Sequence, residues 1–197
     1  MVFARLNGSL ARKLSTLKQE VEAERVAFCL SLLTEKNSMS MRIGTAMPAL
    51  DGATEWFGST QAHAEAETKG RPTLIHFWSV SCGICKDNLP RIAEWRDEYK
   101  ALGLRVIAVH MPRYESDTDV ETVREAIATY NISEPCAIDN EHKLRDAFQN
   151  DQGYVPAYYI FDAEGKLRSF AAGERGVDLL KPAVVRVLST GREVAAS

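Results

Sequence analysis

The sequence predicts an α/β sandwich. Strand-like apolar runs alternate with helical patterns, and residues 104–110 are the clearest apolar strand, continuous over 106–109. The chain then closes with two apolar runs joined by a glycine-containing turn, followed by a last helix. An unbroken apolar run suits a central parallel strand covered on both faces. At 197 residues and 21.9 kDa the chain suits one domain with room for an extension. Its 45% hydrophobic and 26% charged residues are ordinary for a soluble globular protein. Net charge −3 and a pI of 5.9 leave no basic footprint for nucleic acid or a membrane surface.

Residues 1–40 differ from the rest. Leu10, Leu14, Leu17, Val21 and Phe28 recur at helical spacings, interrupted by Glu24, so this extension reads as an amphipathic helix or a loose arm. Its apolar core, residues 26–33, is too short to span a bilayer, which takes roughly 20 residues. Glu20, Glu22 and Glu24 before it are wrong for the basic flank of a signal peptide. Met39 or Met41 is an alternative start. From residue 41 to 197 the chain reads as the folded domain. Residues 43–50, with Gly44 and Pro48, suit an extended lead-in; residues 54–57 suit a short strand, and 61–69 a helix closed by Gly70.

A buried strand is expected from Thr73, ending in a short polar hinge and two cysteines, Cys82 and Cys85, at the head of a helix. That helix runs through Ile92, Trp95 and Tyr99 to Gly103, with a kink expected at Pro90. After strand 104–110, Thr118 and Glu121 suggest a capping box for a helix carrying Val120, Val123, Ile127 and Tyr130. Residues 136–138 form a short strand, and Asn140 is expected to cap a helix bearing Leu144 and Phe148. Residues 155–161 and 166–170 read as a hairpin about the turn 162–165. Val177, Leu180, Val184 and Leu188 mark the closing helix, whose start Pro182 blurs.

The chemistry lies in residues 73–90. A cysteine at the first turn of a helix meets unpaired backbone N–H groups and the positive end of the dipole, which favour thiolate. Spacing of three lets the two sulfurs bond, with Cys82 outward and Cys85 turned in. We read a reversible dithiol/disulfide centre. The four cysteines are too few and too unevenly spaced for a stapled secreted scaffold, so Cys29 and Cys136 are expected to be structural or incidental. Tetrahedral zinc needs four ligands, and Cys136 and His142 belong to no knuckle, so no metal is expected. His63 and His110 show no partner in sequence.

The runs 72–79, 82–85, 109–113 and 155–162 together resemble the thioredoxin superfamily, within it the TlpA/ResA-like thiol–disulfide oxidoreductases. The likeness covers about four-fifths of the chain, from near Met41. A CxxC alone is weak; with Phe77-Trp78 before it, Pro90 after it and Val155-Pro156 ahead of a hairpin it is specific. The resemblance implies a three-layer sandwich: a central mixed sheet with helices on both faces. It implies Cys82 as nucleophile, Cys85 as resolving thiol, Pro156 as a cis-proline and Val155 as a backbone partner for extended substrate. Trp78 is expected beside the CxxC and in substrate binding, the alternative being an ordinary core aromatic. Expected partners are disulfide-containing proteins and an upstream thiol reductant, with no cofactor beyond the Cys82–Cys85 pair. The cysteine usage suggests the reducing cytoplasm, with an extracytoplasmic location, as in many members of the group, the alternative.

Four positions depart from the pattern. His76 stands where many thioredoxins have a buried aspartate, Asn88 where TlpA-like members often have glutamate, and Ser81 where tryptophan is common. Gly83-Ile84 replaces Gly-Pro. His76 is therefore a candidate proton relay for Cys85, or a strand histidine with a satisfied hydrogen bond. A peroxiredoxin-like thiol peroxidase is the alternative function; Ser79 suits it, but Ile75 occupies the position of its proline. A third reading is a non-catalytic module that binds copper or a partner through its thiols.

Overall fold

The computed structural model describes residues 40–195. Backbone contacts divide the chain into residues 1–38 and 39–197. The expected helix of residues 1–40, and Cys29 with it, lies outside the described residues.

Six strands form one sheet: β1 (Glu55–Phe57), β2 (Thr73–Trp78), β3 (Arg105–His110), β4 (Cys136–Ile138), β5 (Ala157–Phe161) and β6 (Leu167–Ala172). Their order is β1-β4-β3-β2-β5-β6. β2, β3 and β4 run parallel, while β5 returns antiparallel on β2, β6 on β5 and β1 on β4. The helices are α1 (Gln61–Thr68), α2 (Gly83–Tyr99), α3 (Val120–Thr129), α4 (Lys143–Ala147) and α5 (Gly176–Ala195). Every β2 residue is buried, as an interior strand between two paired neighbours requires.

Side-chain alternation along the strands separates two apolar layers. Ile75, Phe77, Ile107, Val109, Tyr159 and Phe161 face one way, onto Ala64 of α1, Leu144 of α4 and Phe148. Leu74, Val106, Tyr158 and Ile160 face the other, onto Ile92 and Trp95 of α2 and Val177, Leu180 and Val184 of α5. Next to these, Trp78, Ala108, Cys136 and Ile138 pack with both active-region cysteines, Leu89 and Val123 of α3. The expected mixed sheet with helices on both faces is what the chain builds.

Local expectations needed correction at two caps and one helix. Asp119, not Thr118, caps α3: its carboxylate accepts from the Glu121 N–H, while Thr118 donates back to Glu115 O. Asp139, not Asn140, holds the start of α4, accepting from the N–H groups of Leu144 and Arg145 at 2.9 and 2.8 Å. Asn140 donates to Thr118 O instead. Pro182 lies inside α5, which begins at Gly176. Pro90 likewise sits within α2, which runs as one element to Tyr99 before a 3₁₀ turn. Gly103 ends that turn at φ +96, a left-handed conformation that glycine adopts without a Cβ penalty.

Candidate active site

Cys82 is the N-cap of α2, and its sulfur accepts the Cys85 backbone N–H at 3.1 Å. The Cys82 and Cys85 sulfurs are bonded to each other. β2 ends at Trp78, a turn closed by the Cys82 N–H on the Ser79 carbonyl follows, and Cys82 itself is extended, so the first α2 amides open onto its sulfur. Cys82 does not point outward as expected. Both cysteines are 2% exposed, with Trp78 packed among them, and the surface here belongs to Ser81, Gly83 and Ile84. The Val155 carbonyl oxygen lies 3.6 Å from the Cys82 sulfur.

The Val155–Pro156 bond is cis, and Pro156 is buried at the head of β5. Asn150 secures this loop. Its side chain accepts from the Tyr154 N–H and donates to the Tyr154 carbonyl, at 3.0 and 2.9 Å. Trp78, expected to touch substrate, is 1% exposed and meets His110 edge-on at 5.1 Å. It forms the floor beneath the sulfurs. Strand alternation explains this: Trp78 shares the α2-facing side of β2 with Leu74.

His76 has a partner that the sequence did not reveal. Its Nε2 lies 2.9 Å from Glu134 Oε1, and the other carboxylate oxygen takes a hydrogen bond from Arg96 at 2.8 Å. Burial opposes ionisation of Glu134, but the His76 and Arg96 donors outweigh it and hold the carboxyl at about 2. His76 also lines a small pocket with Cys85, Leu89 and Pro156. Asn88 donates to Tyr158 Oη and the Glu174 carbonyl, tying α2 to β5 and the approach to α5.

Asp117 is a second group that sequence reasoning missed. Only 2% exposed, it accepts hydrogen bonds from Ser79 Oγ and Ser81 Oγ at 2.8 and 2.7 Å and from the Arg113 N–H at 2.9 Å. Burial raises its pKa, but these donors prevail and lower it. The residue before Cys82 is thereby fastened to the loop after β3. His110 accepts the Val80 N–H through Nε2, and burial lowers its pKa to about 4, opposed by Asp117. It is neutral at pH 7. Cys136 is fully buried in the same cluster, and burial pushes its thiol up to about 12, so it is a packing group. His63 sits exposed on α1.

The AhpC/TSA family model matches residues 43–170. The chain is 44% identical to the thiol-disulfide oxidoreductase YkuV of Bacillus subtilis, over 76% of this chain and 98% of that protein. It is 34% identical to protein DipZ of Mycobacterium tuberculosis, over 76% of this chain but only 21% of that longer protein. A solved thioredoxin-like protein in its oxidised form superposes with a TM-score of 0.68 at 44% identity, covering 76% of this chain and 99% of that one. With the dithiol at the head of α2 and the cis-proline loop against it, the chain belongs to the AhpC/TSA family and has its thioredoxin-like fold.

Proposed function

We propose that this protein reduces disulfides of protein substrates by two-step exchange, with Cys82 as nucleophile and Cys85 as resolving thiol. The observation that carries the reading is the Cys85 N–H on the Cys82 sulfur, at the N-cap of a 17-residue helix whose next cysteine closes the bond. A donor and a helix dipole aimed at one sulfur stabilise its thiolate over its thiol. The Cys82 thiolate attacks a substrate disulfide, forming a mixed disulfide and expelling the first substrate thiolate. The Cys85 thiolate then attacks the Cys82 sulfur and expels the second. Substrate gains two electrons, and the protein ends in the bridged state described above. An upstream dithiol returns those electrons, and no cofactor beyond the two sulfurs is needed.

His76 receives the proton that Cys85 must lose, since both line the pocket behind α2 and Glu134 steadies the ring. Val155 and Pro156 take the backbone of an extended substrate once the bridge opens. We place the reaction in the reducing cytoplasm, where a thiol pool would keep Cys82 and Cys85 reduced. The thiol-peroxidase alternative has less support. Ser79 is committed to Asp117, and Ile75 faces the opposite core layer.

Insulin reduction tests the reading. Cys82→Ser abolishes turnover, Cys85→Ser accumulates mixed disulfides, and His76→Ala slows their release without slowing their formation. If both cysteine variants reduce insulin like the wild type, the dithiol is not the catalyst. Peroxide consumption that survives Cys85→Ser favours the peroxidase.

A further inference from the structure

The loop after β3 and the start of α4 enclose a shallow polar pocket of about 270 Å³. Arg113, Tyr114, His142, Arg145 and Gly153 are among its walls, and no carboxylate lines it. The Arg113 guanidinium rests on the Tyr114 ring, 5.4 Å from its centre, and makes no ion pair among the described residues. Arg145 meets one carboxylate, the half-exposed Asp146, at 2.9 Å. Asp139 does not line the pocket: it is wholly buried and accepts from the N–H groups of Leu144 and Arg145, although its charge also acts on His142 and Arg145.

Two connections join this pocket to the sulfurs. Asp117 accepts from both the Arg113 N–H and the Ser81 hydroxyl, so the arginine loop and the residue before Cys82 share one anchor. Gly153 precedes by two residues Val155, whose carbonyl oxygen touches the Cys82 sulfur. Two residues of chain reach at most about 7 Å. Tyr114 in the lining is left 59% exposed, and Tyr154, the residue after Gly153, 46%.

We propose that this pocket receives the carboxylate of an aspartate or glutamate on the substrate polypeptide, two or three positions from the cysteine that Cys82 attacks. The proposal rests on the reductase reading and adds to it a substrate class. Arg113 and Arg145 both line a wall that holds no carboxylate, and a guanidinium matches a carboxylate in charge and in planar geometry. Tyr114 in the lining supplies apolar area for the stem of that side chain.

The test uses the full-length reduced protein and two synthetic peptides with an intramolecular disulfide. One carries glutamate two positions from a cysteine; its twin carries glutamine. The glutamate peptide is expected to react about fivefold faster at low salt, the size of an exposed ion pair of about 1 kcal/mol. That advantage shrinks as ionic strength rises, and in the R113Q/R145Q variant the ratio between the peptides falls to one. Equal rates with the wild type, or a preference that survives both salt and the double substitution, overturn the proposal. So does inorganic phosphate that binds the pocket without changing the ratio. Failure to reduce either peptide, or insulin, overturns instead the reductase reading on which the proposal rests.

Discussion

Glu134 is a residue whose environment bears on stability against pH. Its carboxyl is held at about 2 in the folded chain, against 4.5 as its ordinary value, by His76 and Arg96 acting against burial. A carboxylate depressed by folding stabilises the native state fully above its unfolded value. The contribution fades as pH falls from about 4.5 towards 2. A shift of that size corresponds to something of order 3 kcal/mol. Asp139 works in the opposite sense, because burial raises it. A comparison between wild type and Glu134→Gln cancels its effect. In urea unfolding from pH 6 down to pH 3, the wild type is expected to lose more stability than Glu134→Gln. Parallel losses would show that the buried pair does not set the acid response. Around the sulfurs the residue scale is equally particular, since Asp117 carries the hydrogen bonds that hold Ser81 and the loop of Arg113.

At the scale of elements, helix starts decide where the chemistry sits. α2 starts on Cys82 itself, so the N-cap sulfur and the reacting sulfur are one atom. α3 starts on Asp119, whose carboxylate accepts from Glu121 N–H and from the Thr122 hydroxyl. Removing such a cap costs about 1 kcal/mol. Asp119→Ala is therefore expected to lower the urea midpoint with an unchanged slope, and Thr118→Ala to lower it less. The reverse ranking would restore Thr118 as the cap. Neighbouring polar residues 118 and 119 both satisfy a capping pattern. Which of them caps depends on the preceding 3₁₀ turn Glu115–Thr118, where Thr118 is already bonded to Glu115 O. That turn is not visible in local periodicity.

Across the whole molecule, the six strands lie between Glu55 and Ala172, and the described core layers draw on residues from Met41 to Leu188. Deleting residues 1–40 is expected to leave folding and insulin reduction largely intact. Loss of soluble protein on that deletion would show the extension to be part of the core. Strand and helix identities, the dithiol and the β5–β6 hairpin were readable from the chain alone, because each depends on neighbours a few residues apart. Periodicity, turn chemistry and a CxxC spacing are local properties. What only the folded chain decided are pairings across long stretches. Glu134 meets His76 over 58 residues, and Asp117 meets Ser81 over 36. Asp117 meets Ser81 because the loops after the parallel neighbours β2 and β3 lie at one end of the sheet, and Glu134 meets His76 because the residues leading into β4 run alongside Ala108, the β3 partner of His76. The inward position of Cys82 and the floor made by Trp78 are decided in the same way. Burial is a property of the packed layers, and no local pattern states which side chain the next layer will cover.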